Sequence, residues 1–333
     1  MGTSVMKEQV TKAILLVGGR GTRLQPLTNL VPKPMLRIAG KPVTEHQIVK
    51  AREAGITEIV LATSYLAEVF QPYFGDGSVF GVKIHYAIEK EPLGTGGAIA
   101  HAAQKLRLDE SESVFIFNGD VLSGHDLKSQ AKLHHQKGAA VTLHLTTVED
   151  ARAYGCVPLD DDGQVHEFLE KMDKPKTNTI NAGCYLFTAA TINEIPRDTV
   201  VSVERETFPT LLQRHVPIYG FEDSKYWIDM GTPEAMIRAS RDLILSRDIS
   251  NATPEVQGEA LLEEDVTVNP TSKVGGGSFL ARGSSVGAAC EISGTIVGEE
   301  AVIEDHVILK NSYIAPFSRV KSGSRIEGQV FGF

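Results

Sequence analysis

Residues 13–24 read Ala13-Ile14-Leu15-Leu16-Val17-Gly18-Gly19-Arg20-Gly21-Thr22-Arg23-Leu24. A short apolar run passing straight into Gly-Gly describes a buried strand that ends in a loop. Outward from this stretch the same beat repeats. Residues 45–54 read as a helix stopped by Gly55, 58–63 and 83–87 as strands, and 98–106 as a helix. A strand at 114–118 ends at Gly119, a helix at 126–137 stops at Gly138, and a strand follows at 140–147. This alternation predicts an α/β domain with a largely parallel sheet. Between Gly155 and Phe221 the beat loosens, so antiparallel neighbours and ligand-covering insertions are expected there. Residues 233–246, with Thr232 as N-cap and Pro233 at the first position, read as the closing helix.

Beyond residue 250 the texture changes. Leu262, Val268, Val274, Leu280, Val286 and Ile292 recur every six residues. The phase then slips by four, and Ile296, Val302, Ile308, Ile314, Val320 and Ile326 continue the row. Such a hexapeptide period predicts a parallel β-helix of about four coils, each burying its aliphatic row on its neighbours. It resembles the left-handed β-helices of hexapeptide acyltransferases and of some nucleotidyltransferases.

Composition narrows the function classes. The 333 residues fit about two domains. With 42% hydrophobic and 23% charged residues the chain can bury a sizeable core. Lys plus Arg total 33 against 42 for Asp plus Glu, a net charge of −9, which argues against a nucleic-acid partner. Cys156, Cys184 and Cys290 are isolated, so neither a disulfide scaffold nor a metal-ligand spacing is expected, and a reducing compartment is. The apolar runs fall far short of the roughly 18 residues of a membrane span, and the polar, mixed first ten residues predict no signal peptide. The expectation is a cytoplasmic protein with no membrane partner.

In the loop after the first strand, Gly18, Gly19 and Gly21 let the backbone approach a ligand, and successive N–H groups can cradle phosphate oxygens. Arg23 adds a planar charged fork. Neither a Walker loop nor Gly-x-Gly-x-x-Gly is present. In Val31-Pro32-Lys33-Pro34-Met35 the two prolines predict a fixed extended segment that carries Lys33. Together with Pro26-Leu27-Thr28, the whole string resembles the signature of the sugar-1-phosphate nucleotidyltransferases, and the likeness runs from Lys12 to Leu245. The resemblance implies a Rossmann-like, mixed but mainly parallel sheet. It implies a reaction in which a sugar-1-phosphate attacks the α-phosphorus of a nucleoside triphosphate and pyrophosphate leaves. It also implies nucleotide contacts from Leu16, Gly18, Gly19, Gly21, Thr22 and Arg23, with Arg23 and Lys33 among the catalytic groups.

That chemistry needs cations at the phosphates. Asp120, in Phe117-Asn118-Gly119-Asp120, follows a buried strand, and Asp229 lies in Tyr226-Trp227-Ile228-Asp229-Met230-Gly231-Thr232-Pro233. Strand ends are where open α/β sheets bind ligands. Both positions match the family's Mg²⁺-binding aspartates, so Asp120 and Asp229 are the expected catalytic and metal residues, with Asp120 also at the nucleotide. The attacking phosphate oxygen is already ionised, so no general base is needed. None of the ten histidines is assigned a role, and His101, His134, His135 and His144 read as surface or strand residues.

The loop Tyr86-Ala87-Ile88-Glu89-Lys90-Glu91-Pro92-Leu93-Gly94-Thr95-Gly96-Gly97 corresponds to the family's base-reading loop. The thymidylyl and uridylyl enzymes carry Gln where this chain has Glu89. An ionised carboxylate only accepts hydrogen bonds, and guanine offers adjacent N1–H and 2-amino donors. Glu89 therefore favours guanine, with Gly94 and Thr95 completing the nucleotide set. The wording is similar to that of mannose-1-phosphate guanylyltransferases, which implies GTP and mannose-1-phosphate as substrates. On the sugar side the likeness carries over to Gly155, to Glu170 and Lys171, to Asn181 and to Glu204. The alternatives are a glucose-1-phosphate thymidylyl- or uridylyltransferase and, in a different class, a catalytically silent nucleotide-sugar-binding regulatory subunit.

The expected organisation is a flexible N-terminus (1–10), a nucleotidyltransferase domain (11–246), a linker (247–260) and the β-helix (261–333). The chain stops at Phe331-Gly332-Phe333 without a polar capping helix. Exposed strand edges at the end coil predict a homo-oligomer built through the β-helix.

Overall fold

The computed structural model describes residues 9–19, 21–29, 31–256 and 258–333. Most of the expected flexible N-terminus therefore lies outside the described residues. The chain gathers into two compact units, Met1–Gly19 with Ala51–Trp227, and Arg20–Lys50 with Ile228–Phe333.

In the first unit the strand Lys12–Leu16 is central and parallel to its neighbours on both sides, Glu58–Thr63 and Ser113–Asn118. Lys83–Ile88 extends the sheet in parallel beyond Glu58–Thr63. On the other flank Thr179–Thr188 runs antiparallel to both Ser113–Asn118 and Val141–Thr147, and Ile218–Glu222 pairs in parallel with the latter. The expected antiparallel neighbours are thus present. Leu16 stands level with Ala62 and Asn118, and Thr63 with Ile88. The loops leaving these four parallel strands consequently issue from one sheet edge, the carboxyl edge where such sheets take ligands.

Ile14, Val60, Ile116, Val141, Leu143, Phe187 and Phe208 are fully buried and form the core of this unit. A helix, Gly94–Ala103, covers it with Ile99 and Ala102. It begins at Gly94 rather than at the expected residue 98, so the glycine-rich string forms a first turn and not a loop. His134 also departs from expectation. It lies on the helix Leu127–Lys137, buried, bonded to Ser113 Oγ at 3.2 Å and Thr142 Oγ1 at 2.8 Å. Burial holds its pKa down at about 3.

In the second unit, Pro32 and Pro34 do not hold Lys33 extended. Pro32 is extended, but Met35 N–H closes on Pro32 O at 2.8 Å and Lys33–Met35 forms a 3-10 turn. Proline is tolerated there because the first N–H groups of a helical turn have no partner inside it. A short hairpin follows, Arg37–Ile38 with Lys41–Pro42. Ala39 N–H donates to Ser240 Oγ at 3.0 Å on the helix Pro233–Leu245, whose N-cap Thr232 accepts from Ala235 N–H as the sequence predicts. Arg37 pairs with Glu263 and stacks over the Phe279 ring at 5.3 Å, which ties the hairpin to the first coils of the solenoid. His46, from the helix Val43–Ala54, bonds Ile38 O at 3.2 Å and Ser250 Oγ at 2.8 Å. Its burial lowers its pKa to about 4.

Residues 260–331 form the expected parallel β-helix, three sheets of five, four and four strands with three hexapeptides to a coil, the arrangement of the left-handed type. The register corrects the phase read from sequence. Leu280, Val286 and Ile292 stack on Val297, Ile303 and Leu309, and these on Ile314, Val320 and Ile326. The slip is one of five residues and occurs twice, after Ile292 and again after Leu309. Successive strand residues point to opposite faces, and the doublets Val302-Ile303 and Ile308-Leu309 satisfy either phase in sequence. Ile303 and Leu309 are buried in the row, while Val302 and Ile308 are half-exposed. Among the described residues, no helix is long and apolar enough to cross a membrane.

The two depressed histidines set a pH dependence. Each protonates more readily unfolded, near pH 6.5, than folded, so its contribution to stability is present above that pH and lost as pH falls toward 4 for His46 and 3 for His134. Urea unfolding followed from about pH 7.5 to about pH 5 is expected to lose at most ~1.4 kcal/mol per pH unit for each histidine. A flat profile would contradict the burial assigned to both rings.

Candidate active site

The loop leaving the first strand is held tightly at its start. Val17 N–H donates to Ala62 O at 2.9 Å, and Ser64 Oγ donates to Gly18 O at 2.6 Å. A Cβ at Gly18 would meet Ser64 Oγ at 2.7 Å, whereas one at Gly19 would meet nothing within 4 Å. Gly18 is thus needed for packing, and Gly19 keeps open space beside the backbone. Leu16 O accepts from Gly119 N–H at 3.0 Å, which fixes the turn that presents Asp120, half-buried just past its strand.

Farther along the loop, in the second unit, Gly21 is left-handed at φ 59°, and its carbonyl accepts from Thr28 Oγ1 at 3.0 Å. A Cβ there would strike Lys33 Cβ at 2.9 Å. Thr22 and Arg23 open a 3-10 turn and are exposed, anchored by buried Leu24. Two long-range pairings follow in this unit. Lys33, buried, has its Nζ 3.7 Å from Asp229 Oδ1. The Arg23 guanidinium lies against Gly231, where a Cβ would meet Nη1 at 3.1 Å. The basic residues of the first signature string are therefore brought onto the aspartate string some 200 residues later in the sequence.

In the first unit Glu89, in the loop expected to read the base, is half-buried. Its Oε2 accepts from Leu93 N–H at 3.2 Å, so the side chain braces its own loop with one oxygen. Burial pushes its pKa up, against the pull of that hydrogen bond and of His101. Gly94, Gly96 and Gly97 prove to be a docking seat. Val201 O accepts from Gly96 N–H at 2.8 Å, and Val201 N–H donates to Leu93 O at 2.9 Å. A Cβ at Gly94 would sit 2.6 Å from Val201 O, and one at Gly97 2.4 Å from Thr199 O. Thr95 Oγ1 donates to Glu204 Oε2 at 2.7 Å.

Glu204 lies in a π-helical turn, Val203–Thr207, a form often found at functional sites. Ser202 Oγ donates to the same Oε2 at 3.0 Å, and Tyr185 OH donates to Oε1 at 3.4 Å. Asn181 Nδ2 in turn donates to Tyr185 OH at 2.8 Å, and Asn181 Oδ1 accepts from Gly183 N–H at 3.1 Å. Complete burial raises the Tyr185 pKa far above its usual value, with Glu204 adding to the shift. Gly155 stands opposite Glu170 on paired strands, where a Cβ would meet Glu170 Oε2 at 2.9 Å. Lys171 is left-handed at φ 46°, exposed, with Nζ 3.8 Å from Glu170 Oε1.

Sequence reasoning missed Tyr185, Ser202 and Trp227. Tyr185 is four residues beyond Asn181 on one strand, across a bulge that no residue type announces. Trp227 Nε1 donates to Ala182 O at 2.9 Å and its ring stands edge-on to Tyr154 at 5.5 Å, so it braces the strand that carries Asn181. Among the described residues no group of three or more His, Cys, Asp or Glu side chains forms a metal-ligand set.

A family model described as nucleotidyl transferase matches residues 12–245. The chain is 45% identical over 299 residues to the mannose-1-phosphate guanylyltransferase of Mycobacterium tuberculosis, covering 90% of this chain and 82% of that one. It is 33% identical over 327 residues to mannose-1-phosphate guanylyltransferase 1 of Arabidopsis thaliana, covering 96% and 90%. Among solved structures it is similar to HddC from Yersinia pseudotuberculosis complexed with GMP-PN, at TM-score 0.59 and 28% identity over 70% of this chain and 100% of that one.

Because Thr199 O is backbone and cannot swing aside, Gly97→Ala is expected to cost about 1–3 kcal/mol of unfolding free energy. Gly19→Ala, with open space at Cβ, is expected to cost far less when both are unfolded in urea.

Proposed function

The chain belongs to the nucleotidyl transferase family, and from that premise we propose that it transfers a guanylyl group from GTP to mannose-1-phosphate. A phosphate oxygen of mannose-1-phosphate bonds to the α-phosphorus of GTP. The bond from that phosphorus to the α–β bridging oxygen breaks, and the products are GDP-mannose and pyrophosphate. The observation that carries this reading is the 45% identity, over 90% of the chain, to a protein named for that reaction. The Glu89 carboxylate supports it, as does a solved relative complexed with a nucleotide named GMP-PN.

The residues divide the work as follows. Backbone N–H groups of the loop through Leu16, Gly18, Gly19, Gly21 and Thr22 hold phosphate oxygens. Arg23 and Lys33 offset the charge that builds up as pyrophosphate leaves. Asp229 keeps the Lys33 ammonium aligned at 3.7 Å. The Glu89 carboxylate accepts from guanine N1–H and the 2-amino group with its two oxygens, since the bond from Leu93 N–H leaves Oε2 a second lone pair, and Gly94 backs that contact. Glu204, Asn181, Glu170 and Gly155 receive the sugar, and Lys171 its phosphate. The nucleophile needs no base, so alignment and charge supply the rate enhancement.

Family members depend on a divalent metal, and Mg²⁺ suits carboxylate donors. Asp120 and Asp229 are hard oxygen donors just past or at strand ends, and Mg²⁺ is usually held by one or two carboxylates plus substrate phosphates. When bound it neutralises phosphate charge.

Three further parts of this reading rest on the same features. The functional division is a nucleotidyltransferase domain at 11–246, a linker at 247–260 and a β-helix at 261–333. The end of the family match at residue 245 and the first solenoid strand at Ala260–Leu262 support it. Three free, buried cysteines favour the cytoplasm. Among the described residues the strand Val330–Phe331 pairs on one side with Tyr313–Ile314 and lies at the edge of its sheet, and that edge favours a homo-oligomer through the β-helix. Light scattering at micromolar concentration is expected to give a multiple of the 36.1 kDa chain mass, and a monomer would remove the oligomer from this reading.

Pyrophosphate release with Mg²⁺, crossing GTP, dTTP, UTP, ATP and CTP with mannose- and glucose-1-phosphate, is expected to select GTP with mannose-1-phosphate. Glu89→Gln should cut kcat/KM for GTP by about 10- to 100-fold while gaining on dTTP and UTP. Guanine needs the ionised form and burial raises this pKa, so KM for GTP should climb on acidification sooner than an ordinary glutamate would allow. Preference for dTTP or UTP in the unaltered chain would refute the guanine assignment.

A further inference from the structure

Thr95 sits in the base-reading string, yet its hydroxyl faces the sugar side. Its single O–H donates to Glu204 Oε2 at 2.7 Å, and its oxygen accepts from Val203 N–H at 2.9 Å. Those two bonds use the donor and one of the two acceptor lone pairs of a threonine hydroxyl. We infer that Thr95 is a positioning residue for sugar recognition, acting through Glu204, rather than a nucleotide contact. This inference rests on the guanylyltransferase reading of the site.

The argument is one of hydrogen-bond capacity. An ionised carboxylate offers about four acceptor sites. Among the described residues, Glu204 Oε2 takes both Thr95 and Ser202, while Oε1 takes the long bond from Tyr185 alone. One oxygen is locked by two hydroxyls and the other retains a lone pair for a substrate hydroxyl. Without Thr95, the carboxylate loses its shortest bond and can rotate, so the free lone pair no longer points in one direction. The π-helical turn alone does not fix it, since Glu204 is half-exposed and its side chain has rotamer freedom.

Thr95 also connects the two halves of recognition. It is the second residue of the helix whose first turn continues from the Glu89 loop. Gly96 N–H on one side of it and Val203 N–H across from it are both taken by the same pairing of segments. An aliphatic side chain at this position would remove both the bond to Glu204 Oε2 and the acceptor of Val203 N–H, whereas serine keeps both.

The test compares Thr95→Val, Thr95→Ser and Glu204→Gln with the unaltered chain by pyrophosphate release, varying each substrate in turn. Thr95→Val is expected to raise KM for mannose-1-phosphate about tenfold and to narrow the preference for mannose- over glucose-1-phosphate, with KM for GTP within about twofold. Thr95→Ser keeps the hydroxyl and should recover most of the loss, which a purely structural role for the methyl group would not produce. Thr95→Val added to Glu204→Gln should cost little more than Glu204→Gln alone, because the two act as a unit. An equal or larger rise in KM for GTP would overturn the inference and return Thr95 to the nucleotide, as would unchanged kinetics or full additivity with Glu204→Gln. Should the survey of substrates select a different pair, the guanylyltransferase reading fails by itself, and the same variants are compared with that sugar phosphate. Should no pair turn over, calorimetric titration with mannose-1-phosphate decides. A weaker Kd in Thr95→Val, recovered in Thr95→Ser, supports the inference, and an unchanged Kd overturns it.

Discussion

The first unit depends on one close approach. The backbone of Thr199–Val201 lies against the first turn of the helix Gly94–Ala103, at distances no side-chain carbon would permit. A helix start leaves N–H groups without partners inside the helix. Here Val201 O serves Gly96 N–H, and the helix dipole favours the partial negative charge of that carbonyl. The contact seats the turn that carries Glu204, and Thr95 Oγ1 bonds its carboxylate directly. Glycine in a helix normally costs about 1 kcal/mol relative to alanine. At Gly97 the cost is offset because an alanine would collide with Thr199 O.

A comparable economy of contacts organises the second unit. The hairpin of residues 37–42 is bonded to the closing helix through Ser240 and to the solenoid through Arg37. Gly277 allows the solenoid backbone to approach Arg241 of the same helix, where a Cβ would meet Arg241 Cγ at 2.4 Å. His46 closes the set by bonding both the hairpin and the segment after the helix. Its burial as a neutral ring makes this arrangement sensitive to acid.

The motif residues are not equivalent once placed. Gly18 and Gly21 are required by packing against Ser64 and Lys33, while Gly19 keeps open space. Lys33 is directed by Asp229, a pairing that joins positions about 196 residues apart in sequence. Glu170 is flanked by Gly155 because their strands pair, and Tyr185 joins Asn181 to Glu204 from full burial. Glu204 is oriented by the hydroxyls of Thr95, Ser202 and Tyr185, which is how a side chain is held to a fixed geometry.

Much of this was legible along the chain because it is local. Strand, helix and turn signals act over a few residues, so the alternation up to the closing helix, the Thr232 cap and the existence of the β-helix could all be read from sequence. The glycine-rich loop, Asp120, Asp229 and Glu89 were singled out through a family resemblance, and each lies at or just past the end of a strand. Tertiary structure decided what depends on partners distant in sequence. It chose the inward phase of the solenoid, because doublets such as Ile308-Leu309 fit two phases until the next coil stacks on one of them. It turned Lys33 into a 3-10 turn beside Asp229 and drew His134 into the core between Ser113 and Thr142. It assigned Thr95 to Glu204, since a hydroxyl takes whichever donor and acceptor the fold brings within 3 Å, and that choice is not written in the residues beside it.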